Sequence, residues 1–242
     1  LSFGQCQQCG LIQLCDRLPA KELVPPYDWI TYVEPEEHLD KLAERMKQLP
    51  GLRLGSKILG VTFKDESLVH RMKQLGFSNA SVIELKADLG IDAPHAGVET
   101  IQGSFTVQKA KEIIEKNGKY DVVIVRHILE HAYDFQEFMT ALCMLLNDGG
   151  YVVSEAPDFS SSCMVNNYPL IWEEHVSYFT PETFKLAHRV WGFDIVHFEN
   201  YFYPLEGSLI VIGRKRELGN KETEGIKREI VAQDVAQDVA QD

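Results

Sequence analysis

Three places in this chain put groups capable of chemistry at telling spacings. In Ile171-Trp172-Glu173-Glu174-His175-Val176-Ser177-Tyr178-Phe179-Thr180, two carboxylates meet an imidazole and, three residues on, a phenol. An imidazole titrates near neutrality, so His175 is the candidate general base, with Glu174 to orient it or to hold substrate hydroxyls and Tyr178 as a further acid–base group. A histidine that only bridges this loop to the following helix accounts for the residue equally well. His127 and His131 stand four apart, a spacing that can bring two imidazoles to one helix face and bind a metal. Asp134 starts a helix beyond them and no third ligand is near in sequence, so no metal is expected there. Cys6-x-x-Cys9-Gly10 is half of a zinc knuckle, two thiolates in one tight turn. A closed site wants four ligands, and Cys15 is the one other cysteine nearby, so the sequence points to free thiols rather than bound zinc.

These groups need elements to position them, and the clearest are in Tyr120 to Asp158. Asp121 to Val125 is a short, apolar, β-branched run that reads as a strand buried on both faces of a parallel sheet. Asp134 opens an amphipathic helix with Phe135, Phe138, Leu142 and Leu145-Leu146 on one face, and Asp148-Gly149-Gly150 closes it before a second buried run, Tyr151-Val152-Val153. That is a βαβ unit, and ligands of open parallel sheets bind beyond the carboxyl ends of the strands. Arg126, His127, Glu130, His131 and Glu155 to Asp158 therefore share the edge where chemistry is expected.

Upstream, Glu36 to Leu49 has the spacing of an amphipathic helix and Lys57 to Val61 that of the first strand. Asp65 to Ser67 caps a helix over Leu68 to Leu75. Ser81 to Glu84 is the second strand, ending in a carboxylate that can hold two ribose hydroxyls at once. A solvated strand-end glutamate is the plainer reading of Glu84. Gly97 to Ile101 reads as a third strand, and Thr106 caps a helix that stops at Asn117-Gly118. Downstream, Phe159 to Leu170 is polar and broken by Pro169, as a mobile cover over the site would be. Thr180-Pro181-Glu182 starts a helix, and Phe193 to Phe198 with Ser208 to Ile212 suits an antiparallel hairpin.

With 242 residues, 45% hydrophobic and 25% charged, one α/β domain with a small appendage is expected. The boundaries read as 1–35 for a remnant and connector, 36–215 for the main domain, and 216–242 for a polar tail ending in three Val-Ala-Gln-Asp repeats, helical or disordered. A net charge of −12 disfavours nucleic-acid backbones and anionic lipid, which basic patches bind. Neither a membrane-spanning run nor a signal peptide is visible, so the cytoplasm is the expected compartment. Five cysteines spread along the chain do not make a disulfide framework. Nothing in the sequence sets the oligomeric state.

The runs DVVIVRHILEHAYDFQEFM and LLNDGGYVVSEAPD resemble the fourth-to-fifth strand region of class I S-adenosylmethionine-dependent methyltransferases. The run IWEEHVSYFT resembles the Tyr-His-Glu-His segment of the sugar C-methyltransferases, which act on nucleotide-linked keto-sugars. The likeness extends from Gln5 to Lys215. It implies an α/β, Rossmann-like class I methyltransferase fold, a mostly parallel seven-stranded sheet with an antiparallel terminal hairpin. It also implies S-adenosyl-L-methionine as cofactor and a small, sugar-linked acceptor. In that family a CxxCGLVQL run is the second cysteine pair of an N-terminal zinc module, which would here be truncated.

The resemblance places the cofactor against Gly60, Thr62, Asp65, Glu84, Ser104, Phe105, Arg126 and His127. Several of these depart from the family pattern. Gly60 stands where an acidic residue is usual, Thr62 and Glu66 replace glycines, and only Asp65 matches. Ser104 replaces an aspartate near the adenine amino group; Trp172 and Glu173 replace the family's tyrosine and first histidine. Two readings follow: a methyltransferase that C-methylates an activated sugar, or a cofactor-free relative that keeps the fold as a binding or assembly module. The altered loop favours the second; Glu84, Arg126-His127 and Glu174-His175 favour the first.

Overall fold

The computed structural model describes residues 1–24, 34–93, 96–164, 166, 170–204 and 206–216. The Val-Ala-Gln-Asp tail, most of the connector before residue 34 and Pro169 lie outside them.

The chain opens with a hairpin of β1 (Phe3–Gln5) and β2 (Ile12–Leu14), paired Phe3↔Leu14. Gly10 turns it at φ +76°, the left-handed conformation a residue without Cβ adopts freely. A single helical turn, α1 (Ala20–Leu23), follows. Then come α2 (Leu39–Lys47), β3 (Ile58–Gly60), α3 (Glu66–Gln74) and β4 (Ala80–Val82). The middle of the chain is α4 (Val98–Ser104), α5 (Val107–Asn117), β5 (Tyr120–Arg126), α6 (Phe135–Leu145) and β6 (Leu146–Pro157). It ends with α7 (Phe159–Met164), β7 (Ser177–Tyr178), α8 (Pro181–Val190), β8 (Phe193–Phe202) and β9 (Gly207–Lys215).

The main sheet has the order β4-β3-β5-β6-β9-β8, with β3 to β6 parallel and β9 and β8 antiparallel. Successive residues of β5 serve opposite faces. Val122 and Ile124 join Leu39, Leu42 and Met46 of α2 and Leu68 and Met72 of α3, whereas Val123 and Val125 join Phe138 and Leu142 of α6 and Phe184 of α8. The strand is therefore apolar at every inner position because both faces are covered. Side-chain caps fix where the helices begin: Asp134 accepts from Glu137 N at 2.8 Å, Thr106 from Lys109 N at 3.2 Å, and Thr180 from Thr183 N at 3.3 Å. Each stabilises by about 1 kcal/mol.

The expected third strand is absent. Residues 98–104 form α4, and the sheet has six strands among the described residues rather than seven. Val98, Glu99, Ile101 and Gln102 are its buried positions, and Phe105 is buried just past its end. That spacing has the helical period, not the alternation of a strand.

His188 of α8 is buried against the sheet. Its Nδ1 donates to Phe184 O and its Nε2 accepts from Ser154 Oγ, both at 2.8 Å. Burial pushes its pKa down from 6.5 to about 4. A depressed pKa means the unfolded chain takes up the proton first, so this residue's contribution is complete above pH 6.5 and lost as pH falls towards 4. Denaturant unfolding across that range should show the wild type losing about 3 kcal/mol more than His188→Gln. Parallel pH profiles for the two proteins would refute this.

Candidate active site

The carboxyl edge begins with the loop after β3. The Asp65 carboxylate turns back into it, accepting from Val61 N at 2.7 Å, Thr62 N at 2.8 Å and, through its other oxygen, Arg126 N at 2.9 Å. Burial pushes this carboxyl up to about 7 against the pull of those amides and of the Arg126 charge. Gly60 permits the arrangement, since a Cβ there would lie 2.7 Å from Asp65 Cβ. The glycine in the place of the usual acidic residue thus admits Asp65. Thr62 is fully buried, and its hydroxyl accepts from Lys64 N at 3.1 Å, so it braces the loop.

Arg126 ends β5 in the interior. Its Nε donates to Glu155 Oε2 at 2.6 Å, and Nη1 donates to Lys64 O at 2.6 Å. The other Glu155 oxygen faces His38 Nε2 at 3.0 Å and His127 Nε2 at 3.4 Å. Burial raises the carboxyl pKa of Glu155, but Arg126 and His127 outweigh it and hold the group well below the usual range. Burial likewise opposes charge on His127, and Glu155 and Glu130 overcome it, raising the imidazole to about 10. His127 also carries φ +50°, uncommon for a residue with a side chain. Arg126 and His127, expected at the cofactor, are thus engaged within the protein as the cationic half of a buried network.

Glu84, just past β4, is exposed, and its carboxylate makes no hydrogen bond among the described residues, which leaves both oxygens open to a ligand's hydroxyls. Ser104 closes α4 by donating to Thr100 O at 3.1 Å. Phe105 is 1% exposed and its ring sits 4.8 Å from that of Phe138, so it is a core residue between helices rather than a surface for adenine.

The segment bearing His175 is held from two sides. Leu14 N donates to Val176 O and Val176 N to Glu130 O, and β2 pairs with β7 through Ile12↔Tyr178. The N-terminal hairpin therefore braces the strand that follows the imidazole. His175 is buried, with Nδ1 3.0 Å from Leu170 O. The carbonyl fixes the proton on Nδ1 and leaves a lone pair on Nε2. Burial lowers its pKa, with Glu130 opposing, so the imidazole is neutral at pH 7. Two expectations are corrected here. Glu174 does not orient His175: it lies 4.0 Å from His131 Nδ1, and Leu170 O does the orienting. Tyr178 is not poised for proton transfer, because its hydroxyl donates to Trp172 O at 3.1 Å and burial raises its pKa to about 12.

Sequence reasoning missed the partner of His175. The His131 ring stands 4.6 Å from it, edge to face, on the turn after β5. Burial, with His175 and His127 adding to it, lowers the His131 pKa well below 6.5. His127 and His131 do not share a helix face. His131 Nδ1 and Glu130 Oε2 are buried with no hydrogen-bond partner among the described residues. Orphaned polar atoms of this kind mark a place built for a polar ligand. Together with the open Glu84 carboxylate they fit a cofactor and acceptor at this edge.

A parallel core closed by an antiparallel pair, with polar residues gathered at its carboxyl edge, is the fold of the class I S-adenosylmethionine-dependent methyltransferases, and this chain has that fold. Residues 86–198 match the family described as a methyltransferase domain. The C-methyltransferase NovU of Streptomyces niveus is 23% identical over 231 residues, covering 95% of this chain and 54% of that protein. A ubiquinone biosynthesis O-methyltransferase of Rhizobium etli is 22% identical over 98 residues, 40% of each. The chain thus spans about half the length, or less, of these curated relatives. Among solved structures, a chain from the complex of the Haloferax volcanii Trm112 methyltransferase activator with a protein assigned as a methyltransferase superposes with a TM-score of 0.52. Identity is 10%, covering 75% of this chain and 92% of that one.

Proposed function

We propose that residues 36–215 form an S-adenosylmethionine-dependent methyltransferase domain that methylates carbon on a nucleotide-linked or otherwise activated sugar. The observation that carries this is His175, a neutral, buried imidazole at the carboxyl edge with Nδ1 tied to a carbonyl and Nε2 free to take a proton. The likeness to the C-methyltransferase NovU supports the carbon acceptor, and the resemblance of Ile171 to Thr180 to the sugar C-methyltransferase segment supports the sugar. S-adenosylmethionine, when bound, supplies an electrophilic methyl on its sulfonium.

The chain's own residues do the rest. Glu84 holds the ribose hydroxyls at the end of β4. Asp65 keeps the first loop closed by taking its amides. His175 removes the proton next to the acceptor's carbonyl, which makes that carbon nucleophilic. Glu174, half-buried and with its pKa raised by burial, Glu99 and Glu173, is available to donate to or accept from an acceptor hydroxyl. No helix among the described residues is long and apolar enough to cross a membrane.

The second reading, a cofactor-free binding module, draws support from Thr62, Arg126 and His127, which are engaged within the protein. Calorimetric titration with S-adenosylmethionine and its demethylated product separates the two. Micromolar or tighter binding is expected, weakened by about 1–3 kcal/mol in Glu84→Ala because two hydroxyls lose a charged acceptor. Unchanged affinity in that variant removes Glu84 from the ribose, and absence of binding by the wild type favours the module.

A further inference from the structure

Glu130, His131 and His175 each point one ligand-capable atom into a common space, and these atoms all lie within 4.8 Å of one another. All three residues are buried. We propose that this trio is a binding site for a divalent transition metal of the zinc class, formed between the turn after β5 and the loop before β7.

Three observations point the same way. Two of the three residues present a buried polar atom that nothing in the described protein satisfies, His131 Nδ1 and Glu130 Oε2. The third, His175, has its Nδ1 held by Leu170 O, which is how a metal-binding histidine is usually set, with one ring nitrogen on a backbone carbonyl and the other turned to the ion. In the tautomer that carries its proton on Nε2, His131 presents Nδ1 as a bare lone pair. Lone pairs converging without a donor repel one another. A water can donate to two of them; a cation satisfies all three.

The donor set identifies the ion. Two imidazole nitrogens and a carboxylate oxygen suit zinc, cobalt(II) or copper(II) over magnesium or calcium, which prefer oxygen. Zinc bonds of about 2.0–2.1 Å need the donors to close to roughly 3.4 Å of one another, within reach of side-chain rotation. Glu174 Oε2, 4.0 Å from His131 Nδ1, is placed to give a fourth ligand or to hold a metal-bound water. The cysteines of the N-terminal hairpin take no part. Occupancy would also take the lone pair that His175 needs as a base, so the metal should inhibit methyl transfer. That consequence rests on the proposed base role; binding itself does not.

The test is titration of chelator-treated full-length protein with cobalt(II) and then zinc. One equivalent of cobalt is expected to give the intense visible bands of a low-coordinate nitrogen–oxygen site, without the near-ultraviolet thiolate charge-transfer band, and zinc should displace it. His131→Ala and Glu130→Gln should each weaken binding at least tenfold, while Cys6→Ser/Cys9→Ser leaves it unchanged. Because the buried variants can lose their fold, proton resonances of the cobalt-bound wild type supply a second readout, with paramagnetically shifted signals from two histidines. No binding, binding that needs Cys6 and Cys9, or shifted signals from fewer than two histidines overturns the site. If zinc binds as expected yet turnover is unaffected, the metal site stands and the base assignment of His175 fails.

Discussion

His175→Ala lowers turnover of a nucleotide-linked keto-sugar by about 10² to 10⁴-fold while affinity for S-adenosylmethionine stays nearly unchanged, the expected signature of losing a general base without losing a binding contact. The magnitude follows from geometry. The imidazole is fixed at Nδ1 by Leu170 O, buried, and neutral at pH 7, so its Nε2 lone pair is aimed and available without a rearrangement. Glu174→Gln should cost less, because the amide keeps an acceptor and the orienting bond to His175 comes from the backbone. Steady-state kinetics with single-turnover controls measure both effects. Wild-type turnover in a folded, cofactor-binding His175→Ala protein would move the base elsewhere. His127 is a poor successor, since a group with a pKa of about 10 is already protonated. Tyr178 is no better, with its hydroxyl given to Trp172 O. His131, neutral and 4.6 Å from the His175 ring, is the group such a result would indict.

The frame of this site is legible in the sequence because it rests on local signals. β5 shows as a run of β-branched residues, its neighbours as caps at Thr106, Asp134 and Thr180, and the closing pair as two apolar strands before residue 216. The failures come where a signal is short or non-local. Seven residues at 98–104 are too few for propensity to separate helix from strand, and the decisive spacing of Val98, Ile101 and Phe105 was there to be counted. Gly60 looks like a lost acidic residue until Asp65 is seen folding back over it. The pairing of His131 with His175 joins positions 44 apart through Val176 N and Glu130 O, and no local pattern carries it. Arg126 and His127 were expected to face a ligand because they end a strand at the functional edge. Their partner, Glu155, ends the next strand in register, Arg126↔Glu155, which only the sheet reveals.

That register leads to the second large effect. Glu155→Ala is expected to destabilise the fold by about 3–5 kcal/mol, the range for breaking a buried ion pair and leaving its partner charged. Arg126 and Glu155 have 2% and 0% side-chain exposure, with Nε and Oε2 2.6 Å apart, so water cannot replace the lost carboxylate. His127, held charged by the same carboxylate, would be left with Glu130 and Glu34. The pH dependence has a definite sign on each side. The Glu155 pKa is depressed from 4.5, so its contribution is present above that pH and fades in acid. The His127 pKa is raised from 6.5 to about 10, so its contribution is complete below 6.5 and lost as pH climbs to 10. The network therefore stabilises most between pH 4.5 and 6.5. Urea unfolding of Glu155→Ala, Arg126→Met and the double variant, repeated at pH 6 and pH 9, tests both points. The double variant should recover part of the loss, because it buries no unpaired charge at position 126. A single-variant loss below about 1 kcal/mol, the range of exposed pairs, would mean that solvent reaches the network and that the edge is open at Glu155.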